Sequence, residues 1–156
     1  MTITYDMVER VVPAQHTAVM RGEMPAEALS TWLAEAYQTV AGYLARDGIT
    51  PVGPPFARYT FLADAVAIEA GFPVGFEIPG DALVEPSLLP DGPTAVTTHM
   101  GRYEDLEHAY QAVLEWLHAR GRVPTGPHWE VYFTDPNAEP DPGRWRTDVV
   151  VPYREG

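Results

Sequence analysis

Thr94-Ala95-Val96, four residues after Pro90, repeats Thr17-Ala18-Val19, four residues after Pro13, at an offset of 77 (94 less 17). Self-similarity at a fixed spacing is the mark of a duplicated unit and takes precedence over any other fold signal. Past the start of the next element the offset drops to 73: Ala36-Tyr37 pairs with Ala109-Tyr110, Leu44 with Leu117, Gly48 with Gly121, Pro51 with Pro124, and Gly53-Pro54 with Gly126-Pro127. A turn four residues shorter in the second copy (77 less 73) accounts for the change. Tyr59 then matches Tyr132, and Glu69 to Pro73 resembles Asp148 to Pro152 at an offset of 79.

Each copy carries one amphipathic helix. Residues 25–46 place Leu29, Trp32, Leu33, Ala36, Tyr37, Val40, Tyr43 and Leu44 at three-to-four spacing, with Pro25 at the start and Gly48 just past the end. Residues 103–120 repeat the pattern with Leu106, Ala109, Tyr110, Val113, Leu114, Trp116 and Leu117, closed by Gly121. Residues 56–62 (Phe-Ala-Arg-Tyr-Thr-Phe-Leu) and 128–134 (His-Trp-Glu-Val-Tyr-Phe-Thr) are rich in aromatic and β-branched residues and read as strands. Turn formers punctuate 75–92, with an edge strand expected around 82–88, and the proline-rich 135–144 reads as a rim loop before the last strand.

The expected fold is therefore α+β: duplicated strand-helix-strand-strand units, repeat one at about 5–74, a linker at about 75–83 and repeat two at about 84–153, in a single domain. Halves of about 75 residues bury their surface poorly alone, so one fused sheet carrying both helices is expected, with antiparallel neighbours because the connections are short.

Composition excludes several functions. Ten Lys plus Arg against 22 Asp plus Glu give a net charge of −12, and the scattered positive residues form no stripe that would hold a phosphate backbone, so no direct nucleic-acid contact is expected. The absence of cysteine removes disulfides, thiolate zinc sites and thiol nucleophiles. His108 and His118 lie ten apart on one helix and no paired-ligand motif occurs, so neither a metal nor another cofactor is expected. A nucleophile elbow, a P-loop and a dinucleotide fingerprint are absent. The start, Met1 to Asp6, lacks a basic segment followed by an apolar one, and no long apolar run follows, so the reading is a cytoplasmic protein without membrane contact.

Where the two copies differ, a reason is needed. Glu130 stands mid-strand, a position that disfavours Glu, and its counterpart is Ala57. By strand alternation it shares a face with Tyr132 and Thr134, as Ala57 does with Tyr59 and Phe61. On the helix side, a carboxylate needs hydrogen bonds, neutralisation or a cationic ligand. The alternative is that Glu130 points to solvent and Trp129, Val131 and Phe133 form the core face. Tyr59 and Tyr132 read either as core aromatics or as ligand contacts, and so do Trp32, Tyr37 and Tyr110 on the helical stripes. Tyr103 opens the second helix and leans toward the site, Trp145 follows the rim loop as a lid or stacking surface, and His99 either borders the site or faces solvent.

The residues Pro90 to Thr98, the Gly101-Arg102-Tyr103 turn into Leu106 and Tyr110, Trp116-Leu117, Trp129 to Pro136 and Val151-Pro152-Tyr153 resemble the GyrI-like small-molecule-binding domain, which is similar to the effector-binding half of multidrug-sensing activators of the MerR and AraC types. The resemblance spans nearly the whole chain. It implies a curved antiparallel sheet of about eight strands with two long helices on its concave side, and a buried glutamate at Glu130 facing flat, aromatic, often cationic drugs between aromatic walls. Family regulators carry a DNA-binding helical segment ahead of this domain and none is seen here, so a stand-alone form is expected. Its function is then binding of small aromatic, apolar, often cationic molecules in a cleft between the two repeats, with Glu130 as anchor. Relatives also include hydrolases of cyclopropane-bearing genotoxic compounds, for which Glu130 would be general base and Tyr132 or Tyr103 a proton donor, and gyrase-inhibiting proteins that act through a protein partner. Fold alone does not choose among these.

Overall fold

The computed structural model describes residues 4–156; Met1 to Ile3, where the reading of the amino terminus begins, lie outside the described residues. The chain divides into two compact units, Pro13–Asp91 and the segment ending at Val12 together with Gly92–Gly156.

In the unit Pro13–Asp91 the elements are β2 (Gln15–Met24), α1 (Leu29–Arg46), β3 (Phe56–Phe61), β4 (Val66–Pro73) and β5 (Glu85–Leu89). The order is β3-β4-β2-β5, every pair antiparallel. The other unit holds β1 (Met7–Val12), β6 (Gly92–Met100), α2 (Leu106–Ala119), β7 (Arg122–Pro124), β8 (Trp129–Tyr132) and β9 (Arg146–Glu155), in the order β1-β6-β9-β8 with β7 on β9, again antiparallel. The repeating strand-helix-strand-strand pattern of an α+β fold is thus present twice. Each unit also has an edge strand taken from beyond the repeat's own core: β5 lies beside β2, and β1, which precedes β2 in sequence, lies beside β6.

Helix α1 buries Ala36, Val40, Tyr43 and Leu44, the three-to-four stripe of the sequence, against Ala18, Val74, Ile78 and Val84. Helix α2 buries Leu106, Ala109, Val113 and Leu117 against Ala95, Val149, Val151 and Tyr153. Both helices end on a glycine with left-handed φ, Gly48 at 67° and Gly121 at 68°, a conformation that costs a residue with a Cβ about 1 kcal/mol or more. At the first end, Gly48 N–H donates to Ala45 O and Ile49 N–H to Leu44 O (3.3 and 2.8 Å), and Ile49 packs on the core under α1. These closures fix where the chain turns back toward the next strand.

Candidate functional site

Strand β8 runs beside β9 with Glu130 opposite Val149 and Tyr132 opposite Thr147. Val149 and Tyr132 both pack in the cluster beneath α2, which settles the face: Glu130 points to the helix side and is only 7% exposed, whereas Phe133 is 44% exposed. The solvent-facing alternative for Glu130 does not hold. Trp129 is nonetheless buried as well, on the opposite side of the strand.

Tyr132 donates its hydroxyl to Glu130 Oε1 at 2.7 Å. Its ring meets Tyr103 edge-on with centroids 5.7 Å apart, and Tyr103 stacks on Trp145 at 5.1 Å and 30°. Tyr103 comes from the single turn Tyr103–Asp105 that leads into α2, so the helix entry carries the ring over the sheet. Trp145 is fixed by the rim loop, because its indole N–H donates to Glu139 O at 2.8 Å. Burial, assisted by the negative charge of Asp135, pushes the Tyr103 hydroxyl above its ordinary pKa, so it stays a neutral donor at physiological pH.

His99, for which a solvent-facing position was one expectation, is 3% exposed. Its Nε2 lies 3.0 Å from Arg102 O and its Nδ1 3.0 Å from Tyr5 Oη. A carbonyl accepts only, so Nε2 carries the proton, while Nδ1 shares a hydrogen bond with the Tyr5 hydroxyl. The imidazole thereby fastens the turn that presents Tyr103. Gly101 within that turn has φ 143°, and a Cβ there would lie 3.3 Å from His99 Nε2; its N–H donates to Trp145 O at 2.9 Å.

Tyr110 stacks on His128 with centroids 3.9 Å apart. Burial lowers the His128 pKa to about 4 and raises that of Tyr110. In the unit Pro13–Asp91, Tyr59 stacks on the exposed Phe61 at 6.1 Å, and Tyr37 donates its hydroxyl to Phe56 O at 2.9 Å while meeting Phe72 edge-on. Trp32 lies against Gly22, where a Cβ would come within 2.7 Å of the indole.

Of the residues singled out in the sequence, Glu130, Tyr132, Tyr103 and Trp145 form one contiguous cluster in the unit containing α2, with His99 behind its turn and Tyr110 packed on the same core. Trp32, Tyr37, Tyr59 and Phe61 belong to the unit containing α1. The sequence reading missed Tyr5, His128 and Thr147. Nothing local marks Tyr5 or His128, whereas a closer comparison of the copies would have marked Thr147. Among the described residues no group of three His, Asp or Glu side chains is placed to hold a metal, and no helix is long and apolar enough to cross a membrane.

A duplicated antiparallel α+β architecture with an aromatic-walled carboxylate on the helix side is that of a small-molecule-binding domain. The chain belongs to the family of the GyrI-like small molecule binding domain, whose model matches residues 10–154. No curated protein matches it significantly. Among solved structures it is similar to the C-terminal domain of EcmrR, with 16% identity, a TM-score of 0.85, and 99% of this chain and 100% of that one covered. Against EcmrR in its DNA complex the TM-score is also 0.85 at 17% identity, with 97% of this chain covered but only 58% of that one, so the chain spans little more than half of that regulator. A hydrolase from Listeria innocua follows at 12% identity and a TM-score of 0.68 (95% and 91% covered), and SAV2435 bound to tetraphenylphosphonium at 11% and 0.62 (97% and 94% covered). At these identities the likeness is one of fold.

Proposed function

We propose that this domain binds small aromatic, apolar and often cationic molecules at the cluster of Glu130, Tyr132, Tyr103 and Trp145. The observation that carries this reading is a carboxylate buried to 7% exposure on the helix face, where the other copy has Ala57, and hydrogen-bonded to Tyr132, which heads a run of ring contacts through Tyr103 to Trp145. Stacking and apolar burial would supply affinity, and the carboxylate would select cations. The net charge of −12 favours the approach of a cation, and a protein of the same fold has been seen with tetraphenylphosphonium.

Fluorescence titration with tetraphenylphosphonium tests the proposal. A desolvated ion pair contributes about 2 kcal/mol or more, so Glu130→Gln is expected to weaken this cation roughly 30-fold and to leave a neutral aromatic of similar size within about twofold. Equal loss for the charged and the neutral ligand would remove Glu130 as anchor, and no binding by the wild type would remove the reading.

The hydrogen bond from Tyr132 to Glu130 favours a second reading, hydrolysis of a strained cyclopropane. Glu130 would take a proton from the attacking water, the ring carbon–carbon bond would break as the new carbon–oxygen bond forms, and Tyr132 or Tyr103 would return a proton to the released carbon or its enolate. Turnover no faster than in buffer, or full activity in Glu130→Gln, would dismiss it.

A further inference from the structure

Thr147 lies near the start of β9, on the helix-side face of its unit. It lies opposite Tyr132 on one neighbouring strand and opposite His99 on the other, with Trp145 two residues earlier on the same face. Tyr103 touches Tyr132, the cross-strand partner of Thr147, and Trp145, two residues before it. The residue is 0% exposed and its Oγ1 has no hydrogen-bond partner. A buried hydroxyl left in that condition is costly, and most such groups in folded proteins find a partner.

The duplication sharpens the point. At the offset of 79 that relates β4 to β9, Thr147 corresponds to Ile68, which lies between Gly22 and Tyr59 just as Thr147 lies between His99 and Tyr132. Ile68 is buried in an apolar setting. Three places that are apolar or lack a side chain in one copy, Ala57, Gly22 and Ile68, therefore hold Glu130, His99 and Thr147 in the other. His99 is occupied on both ring nitrogens, and the hydroxyl of Thr147 is not.

Building on the binding reading above, we propose that Thr147 is the second polar contact of the ligand, its hydroxyl pairing with an amino, amide or carbonyl group on a planar aromatic cation whose charge Glu130 holds. Glu130 and Thr147 are diagonal neighbours across β8 and β9, so their Cβ atoms lie roughly 7 Å apart, within the span of a single ring substituent and its ring. Tyr103, carried on a single turn at the helix entry, is the ring that must swing aside for the ligand to reach the hydroxyl. The site then discriminates among cations by a hydrogen bond, a selectivity that stacking and charge alone do not give.

The test compares two cations on wild type, Thr147→Val, Thr147→Ser and Glu130→Gln by fluorescence titration. Proflavine is planar and bears ring amino groups; tetraphenylphosphonium has no hydrogen-bonding group. Thr147→Val is expected to weaken proflavine roughly five- to fifteenfold and tetraphenylphosphonium less than twofold, Thr147→Ser to restore proflavine, and Glu130→Gln to weaken both. Valine has nearly the same shape and deletes an unpaired polar atom, so its melting temperature should equal or exceed that of the wild type. Unchanged proflavine affinity in Thr147→Val, equal weakening of both cations, or a lower melting temperature would overturn the role of Thr147 while leaving the Glu130 reading in place. Failure of both cations to bind the wild type would overturn that reading, and this inference with it.

Discussion

His128 offers a prediction that can be worked through from the structure. The imidazole is buried against the Tyr110 ring at 3.9 Å, and burial lowers its pKa from 6.5 to about 4. The unfolded chain therefore binds a proton at this residue in a pH range where the folded chain does not. Above about pH 6.5 both states are neutral here and stability is unaffected. Between 6.5 and 4 protonation favours the unfolded state, and below 4 the loss levels off. A difference of about 2.5 units (6.5 less 4) corresponds to roughly 3 kcal/mol lost across that window. His128→Phe keeps a ring to stack on Tyr110 and removes the titration. Urea unfolding of both proteins from pH 7.5 to 4 measures the effect, because other titrating groups contribute alike to both and cancel in the difference. The variant should gain on the wild type steadily as the pH falls below 6.5. A difference that stays constant across the range would refute the claim that His128 is held neutral by burial.

Two further substitutions probe how the aromatic clusters are positioned. Gly22→Ala puts a Cβ within 2.7 Å of the Trp32 indole, so the ring must move; a loss of about 1 to 3 kcal/mol in urea unfolding is expected, and an unchanged stability would mean the indole yields freely. Gly101→Ala forces a side chain onto φ 143° and against His99, at a cost of about 1 to 3 kcal/mol, and should disturb the turn that holds Tyr103 over Trp145. The tryptophan emission should shift and cation affinity should fall; stability loss with neither change would separate the turn from the site.

The two copies differ at matching strand positions of the helix-side face. In the copy with Ala57, Gly22 and Ile68 the matching positions are apolar or lack a side chain, with Trp32 lying against the glycine. In the copy with Glu130, His99 and Thr147 the same strand positions carry polar groups; Glu130 and His99 are hydrogen-bonded, and the Thr147 hydroxyl is not. Polar replacements are destabilising in a core unless hydrogen-bonded, and their clustering on one face is what the proposed binding role rests on.

Residue order alone shows the duplication, the two helices and their buried stripes, the strands, and Glu130 as the residue that breaks the repeat. These features are local or recur at fixed spacing, so periodicity and glycine caps expose them. The face that Glu130 takes is set by folding, because alternation gives two faces and the helix that covers one of them is distant in sequence. The same holds for the pairing of β1 with β6 and of β5 with β2, since strand partners are chosen by non-local hydrogen bonding and burial. Thr147 shows the limit most plainly. Comparison with Ile68 in the other copy marks a polar replacement there, but only the register that sets Thr147 between His99 and Tyr132 makes it a buried hydroxyl without a partner.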